Sequence, residues 1–214
     1  EMSPFESLAQ LMSSQIVNCL VLGIAVAAVA GAASVLIGRK SAGLRFAIWF
    51  AALGAITFLF LFLKPTVPSG AGRVNVLEIS LRPEWALYIF CAWAFFAAIG
   101  FLRVVRGLWR VCCLKRSCTQ LDDVLESSVR TMLGGMSRKF ALCTSERLRV
   151  PAALGFFRPV IALPTWALRE LSPEELKMVV LHEAAHLERW DDWTNLLQKV
   201  IRAALFFHPA VWWI

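Results

Sequence analysis

Charge is scarce in this chain. Lys, Arg, Asp and Glu together make up 17% of the 214 residues, against 58% hydrophobic residues. That balance excludes an ordinary soluble domain and makes membrane insertion the first expectation. Basic residues are missing ahead of the first apolar run: residues 1–15 are polar and acidic, which leaves no n-region for a removed signal peptide. Paired C-x-x-C spacing is missing as well. Of the six cysteines, Cys19 and Cys91 lie within apolar runs, Cys112, Cys113 and Cys118 follow a basic segment, and Cys143 stands apart. This distribution is not that of a secreted disulfide framework or a paired-cysteine metal site, and it reads as reduced thiols. No patch interleaves basic and aromatic residues, so the net charge of +7 points to a membrane surface and not to direct nucleic-acid binding. Histidine is rarest among the ligating residue types, with 3 in the whole chain.

Long uncharged runs are present. Ile16 to Ile37, Phe46 to Leu63 and Trp85 to Leu102 each approach or exceed the ~20 residues that cross a bilayer, so three transmembrane helices are expected over about 16–37, 46–63 and 85–102. In the first, Gly23, Ala27 and Gly31 form a small-residue ridge suited to close packing. Between the second and third runs, Pro65 to Glu84 reads as a loop with a short strand around Val74 to Ile79. Lys and Arg cluster at Arg39, Lys40 and Arg45 and again at Arg103, Arg106, Arg110, Lys115 and Arg116. Retention of such clusters in the cytoplasm places the N-terminus outside and everything after Leu102 on the cytoplasmic side.

Past the third run the pattern changes. Leu121, Val124, Leu125, Val129, Met132 and Leu133 follow helical spacing, and Gly134 and Gly135 stop the pattern. Phe140 to Cys143 and Val160 to Leu163 read as short strands, the second bracketed by Pro159 and Pro164. An exposed strand there would suit pairing with an extended peptide backbone, although packing the core is the commoner use of such a strand. Asn195 to Ile214 is apolar yet carries Gln198, Lys199, Arg202 and Pro209, and so reads as an interfacial or partly inserted helix with Trp212 and Trp213 at the headgroup level.

The chemistry concentrates in Leu171 to Asp192, L-S-P-E-E-L-K-M-V-V-L-H-E-A-A-H-L-E-R-W-D-D. Ser172 suits a helix N-cap, Pro173 the first helical position, and Glu175 the carboxylate of a capping box. Within that helix His182 and His186 lie four residues apart, so both imidazoles leave one face about a turn apart, spaced to grip a single ion. Glu183 sits beside them. Neutral imidazole binds Zn²⁺, and a neighbouring carboxylate can take the proton of a water whose pKa the metal lowers. This is H-E-x-x-H, the signature of zinc metallopeptidases. The fold class expected is therefore a mainly α membrane protein: a transmembrane region over 1–110, then a small α+β zincin-like domain over 111–214. His208, flanked by Phe207 and Pro209, is a weak candidate for a further ligand.

The ordered runs V-P-A-A-L-G-F-F-R-P-V-I-A-L-P, L-S-P-E-E-L, H-E-A-A-H-L-E-R-W-D-D-W-T-N-L-L-Q and F-F-H-P-A-V-W-W together resemble the membrane-embedded metallopeptidase domain of the BlaR/MecR type, the bacterial β-lactam-sensing transducers and their relatives. The resemblance is close from Arg149 to Trp213. It implies a multi-pass zinc endopeptidase of the bacterial cytoplasmic membrane that responds to an external signal and cleaves itself or a cytosolic repressor. His182 and His186 would ligate zinc, Glu183 would activate water, and Asp191 and Asn195, at the family's D-x-x-x-N positions, would act behind the ligands, with a weaker claim for Asp192. The family is expected to supply a third ligand from a glutamate on a later helix, beyond Ile214, so the domain is expected to be truncated at its C-terminal end. The alternatives are a housekeeping membrane peptidase of the HtpX or CAAX-protease type, which shares H-E-x-x-H, and a non-catalytic membrane transducer.

Overall fold

A computed structural model describes residues 4–37, 41–62, 83–121 and 138–212. Three long helices come first: α1 (Pro4–Ile37), α2 (Ala42–Phe62) and α3 (Pro83–Ser117). All three are long and apolar enough to cross a membrane, as their uncharged runs require. They overshoot the expected spans most at the start of α1 and the end of α3. Pro4 is a good first helical residue and starts α1 well before Ile16. Beyond Leu102, α3 continues to Ser117 with Arg103, Arg106, Leu108, Arg110, Leu114, Lys115 and Arg116, residues of high helix propensity, among weaker helix formers and with no proline to stop it. The strand expected around Val74 to Ile79 and, past Leu121, the helix expected to Leu133 lie outside the described residues.

The chain divides into two compact units, 1–102 with 200–214, and 103–199. In the first unit, Ile16 and Cys19 of α1 and Leu53, Ile56 and Phe60 of α2 share a buried cluster with Ile201, Leu205, Ala210 and Val211. Polar side chains inside this apolar packing find backbone carbonyls: Ser13 Oγ donates to Ala86 O (2.7 Å), and Gln15 Nε2 donates to Leu59 O (2.9 Å) and Phe60 O (2.8 Å). A helix carbonyl keeps a second lone pair after its own helical bond, so such bonds add to the fold without breaking the ladder. The segment after Val200 is held to α3 at two points. Gly100 leaves room for Ala203, which a Cβ at that position would meet at 2.9 Å, and Trp93 Nε1 donates to Ala204 O (2.9 Å). Its last turn, the 3-10 helix Pro209–Trp212, follows His208, whose ring is fully buried against Gly23 of α1. The small-residue ridge is thus used at Gly23 by a histidine, whereas Gly31 has nothing within 4 Å.

The second unit is built on a four-stranded sheet of order β1-β2-β4-β3. β1 (Thr119–Gln120) is antiparallel to β2 (Ala141–Ser145), β2 is parallel to β4 (Val160–Pro164), and β4 is antiparallel to β3 (Ala152–Leu154). β2 and β4 are the two expected strands. Each is a short apolar run, and Leu142, Cys143, Ile161, Ala162 and Leu163 are buried. β1 and β3 carry no such signal, because edge strands of two and three residues are too short to print an alternation. Gly155 turns β3 toward β4 at φ +94°, a conformation that disfavours any side chain. A short helix, α4 (Thr165–Glu170), leads to α5 (Pro173–Glu188).

α5 begins as its sequence dictates. Ser172 accepts from the Glu175 backbone amide and the Glu175 carboxylate accepts from the Ser172 amide, so the capping box is closed in both directions. Leu176, Val180, Ala184 and Leu187 form the buried stripe of α5, packed with Leu142, Ile161 and Leu163 of the sheet. Each of the larger aliphatic side chains contributes roughly 1.5–3 kcal/mol by leaving water. The stripe fixes the helix rotation and turns His182, Glu183 and His186 away from the core. α5 then stops at Glu188, Trp190 takes a left-handed conformation with φ 60°, and α6 (Asp191–Ala204) begins at once.

Candidate metal centre

The two motif histidines meet. His182 Nε2 and His186 Nε2 are 3.3 Å apart, with the ring planes near perpendicular at 88°. A tetrahedral zinc with Zn–N bonds of about 2.0–2.1 Å has ligand atoms about 3.3–3.4 Å apart, so this separation fits two imidazoles sharing one ion. The far side of His186 is held too: Nδ1 lies 2.6 Å from Asp191 Oδ2. Arg189 Nη2 also approaches, at 2.7 Å from Asp191 Oδ2 and 3.1 Å from His186 Nδ1. Nδ1 cannot donate to the carboxylate and accept from the guanidinium at once. The shorter, charge-assisted contact assigns the proton to Nδ1 and leaves the Nε2 lone pair free for a ligand. A carboxylate behind a ligating histidine is the usual device for fixing that tautomer. Burial pushes the Asp191 carboxyl up, but the hydrogen bonds from His186 and Arg189 outweigh it and hold the group below its ordinary value.

Glu183 lies on the same face, where its Oε2 accepts from the Ala153 amide of edge strand β3 (3.1 Å). Ala153 gives this amide to Glu183 and not to a carbonyl of β4, and β3 is an edge strand, so the amide belongs to the open side of the sheet. Among the described residues, no group of three or more His, Cys, Asp or Glu side chains is placed to share an ion. His182 and His186 supply two donors of the three that a catalytic zinc site takes from protein.

Of the other residues singled out in the sequence, Asn195 is exposed on α6 and its side chain makes no hydrogen bond among the described residues. Asp192 is engaged elsewhere. Both its oxygens accept from Arg138: Nη1 to Oδ1 at 2.9 Å and Nη2 to Oδ2 at 2.8 Å, with each side chain 10% exposed. The same guanidinium donates to Leu187 O (3.0 Å) and Phe156 O (2.7 Å) and stacks on Trp190 at 4.5 Å. The bond to Asp192 raises the Arg138 pKa further above its already high value. Sequence reasoning missed Arg138, which stands 54 positions from its carboxylate, and missed Arg189 as a partner of Asp191. His208 belongs to the first unit, and all six cysteines are free thiols.

An H-E-x-x-H helix laid on a small mixed sheet, in a chain with three helices fit to cross a bilayer, defines a membrane protein of the metallopeptidase type. The family model described as BlaR1 peptidase M56 matches residues 71–214, about two thirds of the sequence, and the chain belongs to that family. Among curated proteins it is similar to the regulatory protein BlaR1 of Bacillus licheniformis, 32% identical over 77 residues, which cover 36% of this chain and 13% of that protein. It is also similar to the methicillin resistance mecR1 protein of Staphylococcus aureus, 22% identical over 143 residues, covering 65% of this chain and 24% of that one. The mecR1 protein of Staphylococcus epidermidis matches to the same extent. The matched segments are thus a minor part of each relative's length.

Proposed function

We propose that the chain carries the zinc-dependent endopeptidase site of a signalling protein in the bacterial cytoplasmic membrane. The site faces the cytoplasm, where its substrate is the protein itself or a cytosolic repressor. One observation carries this reading: two Nε2 atoms 3.3 Å apart, one of them on a ring whose opposite nitrogen is tied to a carboxylate. The basic residues at Arg103, Arg106, Arg110, Lys115 and Arg116 support the orientation, because such clusters stay inside.

When bound, zinc supplies Lewis-acid polarisation of a carbonyl and a lowered pKa for water. His182 and His186 would hold it through Nε2, and Asp191 keeps the His186 ring in the required tautomer. Glu183 serves as the general base that takes a proton from the attacking water, then returns it to the nitrogen of the leaving amine. The open side of β3, beside Glu183, suits an extended substrate backbone that adds as a further strand. Asn195, on the same helix as Asp191, is proposed to help orient that side of the site.

Replacing Glu183 by Gln in the full-length protein tests the reading. Zinc should remain bound while cleavage of the protein and of its repressor falls by about 10²-fold or more, the usual contribution of a positioned acid–base group. Undiminished cleavage would refute the assignment and leave a non-catalytic transducer as the better account.

A further inference from the structure

The Arg138 guanidinium occupies the elbow between the two helices that meet at the site. Its four hydrogen bonds run to the end of α5 (Leu187 O), to the first turn of α6 (both oxygens of Asp192) and to the β3–β4 loop (Phe156 O). Each endpoint neighbours a residue of the candidate site. Leu187 follows His186, Asp192 follows Asp191, and Phe156 lies three residues beyond Ala153, whose amide holds Glu183. Between the helices Trp190 sits at φ 60°, a left-handed conformation that costs a bulky residue energy unless its surroundings enforce it. Those surroundings include Arg138 stacked on the Trp190 ring at 4.5 Å. Asp191 is the first residue of α6, directly after this turn, and from there it reaches His186 Nδ1.

We infer that Arg138 is a positioning residue for the metal centre: by clamping Asp192 it fixes the α5–α6 elbow, and so it holds Asp191 on His186. The inference rests on the metallopeptidase reading. A surface ion pair could not do this, but a fork that makes four bonds at 10% exposure has one geometry open to it, and lysine cannot reproduce it. An arginine that merely supported the fold would act on the metal site independently of Asp191. One that acts through Asp191 has nothing left to transmit once that carboxylate is gone.

The test is a double-mutant cycle read as zinc affinity. The full-length protein in detergent is titrated with zinc against a chromophoric chelator for wild type, His182→Ala, Arg138→Lys, Arg138→Ala, Asp191→Asn and each Arg138 variant combined with Asp191→Asn. Arg138→Lys keeps the charge opposite Asp192 and carries the test where Arg138→Ala does not fold. Each Arg138 variant should weaken zinc binding by about 10-fold or more, the scale seen when groups behind a ligand are lost. In the Asp191→Asn background the same changes should have little further effect. Wild-type affinity in Arg138→Lys, or losses that multiply in full with that of Asp191→Asn, would overturn the inference while leaving the peptidase reading intact. A zinc affinity unmoved by His182→Ala would overturn both.

Discussion

The spacing of His182 and His186 fixes their shared face whatever the tertiary structure, because helix geometry alone sets it. Arg138 has no such signature. Its meaning depends on a turn at Trp190 and a loop at Phe156 that only the fold brings to it. Asp191 and Asp192 look alike in sequence, yet one faces His186 and the other Arg138, since consecutive residues in a first helical turn point about 100° apart. Glu175 offers a test at this scale. The Ser172 amide and hydroxyl hold its carboxyl below the ordinary value. A folded value below the unfolded one stabilises the protein above the unfolded value, and that stability is lost as pH falls through the folded one. Glu175→Gln should therefore lower Tm slightly near neutral pH. The gap should close as pH falls below about 4, and melting curves across that range check it.

Among the elements, long helices and strands buried on both faces could be read from the chain, and short edge strands could not. α1, α2 and α3 follow from uncharged runs, and β2 and β4 from compact apolar ones. β1 and β3 exist because a neighbouring strand offers unpaired amides and carbonyls, a reason that no local pattern records. The ridge on α1 was legible as small residues but not in its use. Gly23 receives the His208 ring, whose Nδ1 accepts from Ala210 N (3.2 Å). The proton therefore sits on Nε2, which makes no hydrogen bond of good geometry among the described residues. A methyl group at Gly23 would collide with that ring. Gly23→Ala should destabilise the detergent-solubilised protein by about 1–3 kcal/mol, the cost of overpacking. Gly31→Ala, facing open space, should be neutral or slightly stabilising through helix propensity. Thermal melts of the two variants side by side decide it.

On the scale of the whole molecule, the chain joins helices long and apolar enough to cross a bilayer to a small sheet-and-helix unit with an H-E-x-x-H face, and it belongs to the BlaR1 peptidase M56 family. Composition was enough to require the membrane, and one motif was enough to suggest the reaction. The account depends most on the claim that His182 and His186 hold a metal together. The direct measurement is the zinc content of the full-length protein, purified in detergent without chelator and analysed by inductively coupled plasma mass spectrometry beside its His182→Ala and His186→Ala variants. The account predicts about one zinc per chain in the wild type, with the stoichiometry a catalytic site requires, and little in either variant. Equal zinc in all three, or none in the wild type, would contradict it.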